Sequence, residues 1–137
     1  VRVPICRWDV EQYYSEERTT EGTTYAMHGG FCSDAGVVEF DNEFFAISSG
    51  EAERMSPGQR VVLETGFEVL HRAGHSRDTA RGLGCGVFLG DSGNDWPFMC
   101  TAQDAFRITS QSNCITGARL SHSLGLRGPV STTDTAC

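Results

Sequence analysis

One amphipathic helix dominates the sequence. In the stretch SPGQRVVLETGFEVLHRAG, Ser56 precedes Pro57 and Gln59 lies three residues after the serine, so we predict a capping box with proline at the first helical position. Gly74 can adopt the left-handed backbone conformation that commonly ends a helix. The pattern predicts a helix over residues 57–73. Its apolar residues recur at helical spacing and are assigned to one face: Val62, Leu63, Phe67, Val69, Leu70 and Ala73.

The segments after this helix predict an α/β arrangement. GLGCGVFLG is a short apolar run between glycines, which predicts a strand over residues 85–89 that is buried on both faces, as in parallel or mixed sheets. DSGNDWPFM has the composition of a loop. A second helix is predicted over residues 112–123, with Gly125 ending it, and Pro129 then opens a predicted strand, VSTTDTA. Helix, strand, helix and strand with short connections is typical of α/β domains.

The first part of the chain has little apolar periodicity. Residues 1–36 are rich in Gly, Ser, Thr and Glu, which predicts an extended, irregular segment. We expect aromatic side chains to pin this segment, namely Trp8, Tyr13, Tyr14, Tyr25 and Phe31. The following stretch VEFDNEFFAIS predicts a buried connector anchored by Phe40, Phe44 and Phe45.

Length and charge limit the classes of protein. A chain of 137 residues fits a single domain or one piece of a larger domain. The net charge is −7 and all 11 basic residues are arginines, without a basic stripe, so nucleic acid is a disfavoured partner. No apolar run is long enough to span a bilayer, and the first 20 residues contain no signal-peptide stretch.

The cysteine pattern predicts an intracellular reducing compartment. The six cysteines are widely and irregularly spaced without a C-x-x-C pair, which favours neither a disulfide scaffold nor a zinc site. We predict mostly reduced, buried thiols at five of them. They are Cys6, Cys32, Cys85, Cys100 and Cys114.

The sixth cysteine, Cys137, stands where the second predicted strand should end. If a helix began directly after it, backbone N–H groups and the helix dipole would stabilise its thiolate, and the thiol would be a nucleophile. Cys137 is therefore the candidate catalytic residue. A cation site in the acidic loop DSGNDW is a further possibility, but the loop has too few ligands at usable spacing.

Seven segments together carry a family resemblance: WDVEQYY, YAMHGGF, FDNEFFAIS, EAERMSPGQRVVLETGFEVLHRAG, GVFLG, GARLSHSLGLRGP and DTAC. In order and spacing the chain resembles the N-terminal portion of a β-ketoacyl synthase (ketosynthase) domain of modular polyketide synthases. The resemblance implies an incomplete, thiolase-like α/β fold, whose first strand would precede Val1 and whose second half would follow Cys137. Residues 1–137 are then expected to be one partial ketosynthase domain that ends at its active-site cysteine.

The resemblance also implies a reaction. The cysteine matching Cys137 would accept an acyl chain as a thioester, and a carbanion from a decarboxylated malonyl-type extender would attack that thioester. In this family two histidines after the cysteine assist the decarboxylation, and the histidines of this chain match neither motif: His28, His71, His75 and His122. The fragment alone is therefore not expected to be active. The resemblance implies no metal and no organic cofactor.

The implied partners are acyl carrier protein, malonyl-type thioesters and the remainder of the synthase or a larger assembly. A homodimer is expected through the strand over residues 129–135. The expected location is the cytoplasm or an organelle such as a plastid.

Some residues depart from the family pattern. Val130 and Ser131 are transposed relative to the commoner order, and Thr133 replaces a usual aliphatic residue. Because side chains alternate along a strand, the swap turns different residues toward the core. These departures favour an alternative function, a non-catalytic, ketosynthase-derived structural subunit docked in a larger assembly.

Overall fold

The structure is a computed structural model that describes residues 1–93, 95–100 and 105–134. It contains two compact units, Val1–Ser33 and Asp34–Cys137. The elements of the described residues are a 3-10 helix Val10–Gln12, α1 Asp34–Val38, α2 Ser49–Arg54, α3 Pro57–Arg72, α4 Arg77–Ala80, β1 Val87–Gly90, α5 Trp96–Met99, α6 Arg107–Gln111, α7 Asn113–Leu124 and β2 Val130–Thr133.

The first unit is irregular, as predicted, but aliphatic residues form its centre. Val3 and Val10 are 8% and 4% exposed, whereas Trp8, Tyr13 and Tyr25 are 46%, 50% and 58% exposed. The prediction is therefore wrong for Tyr13 and Tyr25, whereas Trp8 packs edge-on against the half-buried Phe31, with ring centroids 5.8 Å apart. A unit of this size has too little mass to enclose several large rings, and domains below about 40 residues rarely build a sufficient core.

The second unit is organised around α3, whose first turn forms only half of the predicted capping box. Ser56 Oγ accepts a hydrogen bond from the Gln59 backbone N–H at 3.3 Å. The Gln59 side chain does not return to the cap. Its Nε2 donates instead to the carbonyl oxygens of Thr109 and Ser112, at 3.2 and 3.3 Å. A tertiary contact has replaced the local one, so Gln59 joins α3 to the α6–α7 junction.

The predicted apolar face of α3 is only partly buried. Leu63 is fully buried, while Val69 is 61% exposed and Ala73 is also exposed, so the assignment of these two residues to the buried face is wrong. The helix ends as predicted, with Gly74 at a φ of +89°. Residues packed with Leu63 in the core are Phe45, Ile47, Met55, Val87, Leu120 and Leu124, with Phe40, Phe44, Val62, Phe67 and Leu70 partly buried around them. The aromatic connector is thus confirmed as a core anchor.

The two strands pair in parallel, which is one of the two arrangements that the prediction left open, with Val87 opposite Val130 and Gly90 opposite Thr133. Burial alternates along β1: Val87 is 6% exposed and Phe88 is 71% exposed. The prediction of a strand buried on both faces is therefore wrong for the described residues. Their sheet has two strands, and α7 packs on one face of it.

Helix α7 is confirmed with bounds close to the predicted ones. Leu120 and Leu124 are 6% and 2% exposed, Ile115 is half-buried, and Gly125 ends the helix with a φ of +67°. The stretch predicted as a loop after β1 differs, because it contains the short helix α5.

Among the described glycines, Gly128 has the closest backbone neighbours. A β-carbon built on it would lie 2.2 Å from the carbonyl carbon and oxygen of Cys85 and 2.4 Å from the Gly86 nitrogen. These are backbone atoms, which cannot rotate away. The chain entering β2 therefore passes the chain entering β1 at a distance that only glycine allows.

We predict that Gly128→Ala lowers the free energy of unfolding by about 3 kcal/mol or more, because the methyl group must separate the two strands. Gly84→Ala is the matched control, since a β-carbon there meets no atom within 4 Å. The control should stay within about 0.5 kcal/mol of the parent. Denaturant unfolding of the intact polypeptide measures both, and equal stabilities would contradict the steric assignment.

Candidate functional site

Strand β2 leads toward the candidate nucleophile. Cys137 follows Thr133 by four residues in the sequence, and it lies outside the described residues, as do Thr135 and Ala136. The backbone N–H of Asp91, directly after β1, donates to the Thr133 carbonyl at 3.0 Å. The carboxyl ends of both strands therefore meet at one edge of the sheet, where parallel α/β sheets bind their ligands.

A cavity of about 260 Å³ lies beside this edge. Four polar or charged side chains contribute to its lining, those of Ser56, Gln59, Asp91 and Thr116. Gln59 is 3% exposed, and its Oε1 is buried without a hydrogen-bond partner among the described residues. The lining residues are Ser56, Gly58, Gln59, Val62, Leu89, Gly90, Asp91, Gly93 and Thr116.

A buried ion pair joins α2 to α7. Arg119 is 8% exposed, and its Nη1 lies 2.6 Å from Glu51 Oε1 while its Nη2 donates to the Thr109 carbonyl at 2.9 Å. The pair borders a second cavity of about 370 Å³, whose rim includes Arg77 and Arg81. Sequence reasoning missed this pair because Glu51 and Arg119 are 68 residues apart and belong to no common local pattern.

The other thiols and imidazoles form no second centre among the described residues. The five described cysteines form no disulfide with one another, but three are exposed and two are half-buried, so the prediction of buried thiols is wrong. No group of three His, Cys, Asp or Glu in the described part of the chain could hold a metal ion. His28, His71 and His122 are exposed. Within the same part of the chain, no helix has the length and apolarity to cross a membrane.

Comparison with known proteins assigns the family. The model of the beta-ketoacyl synthase N-terminal domain matches residues 1–137. The chain belongs to the β-ketoacyl synthase family. Among the relatives of this ketosynthase chain, a phenolphthiocerol/phthiocerol polyketide synthase protein of Mycobacterium tuberculosis is 39% identical over 143 residues, covering 100% of the chain. Polyketide synthase GfsB of Streptomyces halstedii is 40% identical over 134 residues, covering 95% of the chain.

Solved structures agree with this family and with the thiolase-like α/β fold. The ketosynthase from module 6 of the bacillaene synthase of Bacillus subtilis 168 superposes with a TM-score of 0.75 at 32% identity, over 96% of this chain. The oxazolomycin ketosynthase domain of Streptomyces albus JA3453 gives a TM-score of 0.72 at 32% identity, over 98% of the chain.

The chain represents a small part of these relatives. It spans 6% of the length of the mycobacterial protein and 2% of GfsB. It covers 21% of the bacillaene ketosynthase chain and 23% of the oxazolomycin one. The described residues accordingly form a partial thiolase-like fold.

One carboxyl group on α3 has a perturbed pKa. Burial raises the pKa of Glu64 above its ordinary value of 4.5, and the negative charge of Asp41 raises it further. The folded state therefore holds this proton more tightly than the unfolded state does. Its contribution to stability is fully present below the ordinary pKa and is lost as the pH rises through the raised pKa.

We predict that Glu64→Gln removes this loss, so the variant gains stability relative to the parent as the pH rises from below 4.5 toward neutrality. Thermal unfolding measured across this pH range tests the prediction. Glu53→Gln, at an exposed position of α2, is the control for removing one negative charge. An identical pH dependence in the Glu64 and Glu53 variants would contradict it.

The ion pair gives a second prediction. Glu51→Gln should cost about 3 kcal/mol of unfolding free energy, because the buried Arg119 guanidinium loses its countercharge. The double variant Glu51→Gln/Arg119→Met should recover part of that loss, because no buried charge remains. Denaturant titrations of the parent and both variants measure the difference. A double variant less stable than Glu51→Gln alone would show that Arg119 is not held mainly by this charge.

Proposed function

We propose that this chain is part of a polyketide synthase ketosynthase domain in which Cys137 carries the growing acyl chain. Residues 1–137 match the family model, and the DTAC segment resembles the family's active-site signature. The observation that supports the proposal is that β2 pairs in parallel with β1 and ends at Thr133, four residues before Cys137 in the sequence. Nucleophiles that follow a strand at the carboxyl edge of a sheet are typical of α/β enzymes.

The proposed reaction has two steps. The Cys137 thiolate attacks the carbonyl carbon of an acyl thioester, a new C–S bond forms, and the donor thiolate leaves and takes up a proton. The carboxylate of a malonyl-type thioester then loses CO₂, and the resulting carbanion attacks the acyl–Cys137 carbonyl. A carbon–carbon bond forms and the Cys137 thiolate is released. Covalent catalysis in this way divides one difficult condensation into two easier transfers.

The proposal includes the partners that this chemistry needs. Acyl carrier protein would deliver both thioesters, and the remainder of the synthase would supply the histidines that assist decarboxylation. A homodimer through residues 129–135 is part of the proposal, and it is supported by the second edge of β2, which pairs with no strand among the described residues. The relatives named above are bacterial, which favours the cytoplasm and lends no support to a plastid.

The decisive experiment is acyl-enzyme formation by the intact synthase polypeptide. Incubation with a short acyl thioester, followed by proteolysis and mass spectrometry, should place one acyl group on the peptide containing Cys137. Cys137→Ala should abolish that adduct and product formation. Cys100→Ala, at a partly buried cysteine elsewhere in the chain, is the control and should retain both.

The rate of thiol alkylation distinguishes the catalytic proposal from the alternative, a non-catalytic structural subunit. An activated thiolate should react with iodoacetamide about tenfold faster at Cys137 than at Cys100 near neutral pH. Equal alkylation rates, together with the absence of an acyl adduct in the intact polypeptide, would rule out the catalytic proposal. That combination would instead support the non-catalytic structural role.

A further inference from the structure

Gly117 is buried and lies on the side of α7 that packs against the sheet. A β-carbon built on Gly117 would lie 3.0 Å from Thr132 Oγ1, 3.3 Å from Val130 Cγ1 and 3.5 Å from Leu89 Cδ1. A contact of 3.0 Å forces the neighbouring atoms to move by a few tenths of an ångström. Gly117 lies inside a helix and its φ is not left-handed, so backbone conformation does not require glycine there. Glycine is needed at this position because two residues of β2 occupy the space into which a side chain would extend.

The contact falls on the strand that leads to Cys137. Side chains alternate along a strand, so Val130 and Thr132 face α7 while Ser131 and Thr133 face the other way. Thr132 Oγ1 is buried and has no hydrogen-bond partner among the described residues. Steric contact with α7, rather than a polar bond, therefore determines how close this side chain lies to the helix.

The transposed order of Val130 and Ser131 affects the same contact between α7 and β2. Because Val130 rather than Ser131 faces α7, a branched side chain occupies the helix side of β2. Because residue 117 is glycine and has no side chain, there is room for the Val130 side chain. Gly117, Val130 and Thr132 thus form one packed contact, which explains how the unusual order of residues is accommodated.

We propose that Gly117 is a positioning residue for Cys137: it determines the depth at which β2 packs on α7, and through β2 the placement of the nucleophile. This inference rests on the proposed function. Gly117→Ala has two opposing effects, because alanine strengthens the helix while its methyl group displaces Thr132. Stability and acyl transfer should therefore respond differently, which a purely structural role would not produce.

The test is a double-mutant cycle in the intact synthase polypeptide, with the rate of Cys137 acylation by a short acyl thioester as the readout. We expect Gly117→Ala to slow acylation about fivefold, because displacements well under 1 Å at a nucleophile already reduce rates severalfold. Its melting temperature should remain at or above that of the parent. The pH midpoint of Cys137 alkylation should not change, because the charges around the thiol are unchanged.

Removing the displaced side chain should restore the rate. Gly117→Ala/Thr132→Ala should acylate within about twofold of Thr132→Ala, because the new methyl group then occupies vacated space. Gly50→Ala is the matched helical control, since its β-carbon meets only a Phe106 carbon at 3.9 Å. This control should acylate at the parent rate.

The outcomes separate the two proposals. If the parent polypeptide forms no acyl–Cys137 adduct, the proposed function fails. If the parent is acylated and Gly117→Ala acylates at the same rate, the positioning role is wrong and the proposed function stands. Should Gly117→Ala not fold, the comparison of the double variant with Thr132→Ala decides, and a double variant more than about fivefold slower overturns the positioning role.

Discussion

The packing of α7 is the contact on which the second unit depends. One side of this helix presents Leu120 and Leu124 to the core that it shares with α3, and Gly117 brings it against both strands. Close packing of this kind tolerates little change in volume, because neighbouring atoms have no empty space to enter. The position of β2 is a consequence of how α7 packs against it.

Buried polar groups hold the segments around α7 in place. Arg119 connects α7 to Glu51 and to the Thr109 carbonyl, and Gln59 connects α3 to the Thr109 and Ser112 carbonyls. Removing one partner from such a group leaves a desolvated donor or charge, which costs more than the bond itself contributes. These contacts therefore restrict the arrangement of α2, α3 and the α6–α7 junction beyond what apolar packing alone requires.

The errors of sequence reasoning have a common physical origin. Alternation and helical periodicity indicate which residues share a face, but they do not indicate whether another element covers that face. Phe88 and Val69 are exposed for this reason, although their neighbours Val87 and Leu70 are buried or partly buried. The same limit applies to the candidate site. The position of Cys137 in the sequence and its signature could be recognised, whereas the packing of Gly117 against Thr132 could not.

The sequence by itself determined the local structure: the serine cap of α3, the glycine ends of α3 and α7, the α/β order and the ketosynthase family. The cap and the helix ends depend on residues a few positions apart, whose preferences act in any context. The α/β order and the family are indicated by segments spread along the whole chain. Only the tertiary structure decided the Arg119–Glu51 pair, the partners of Gln59 and the steric fit of Gly117. Those contacts join residues far apart in the chain, 68 positions in the case of the ion pair, and they exist only once the helices and strands have packed.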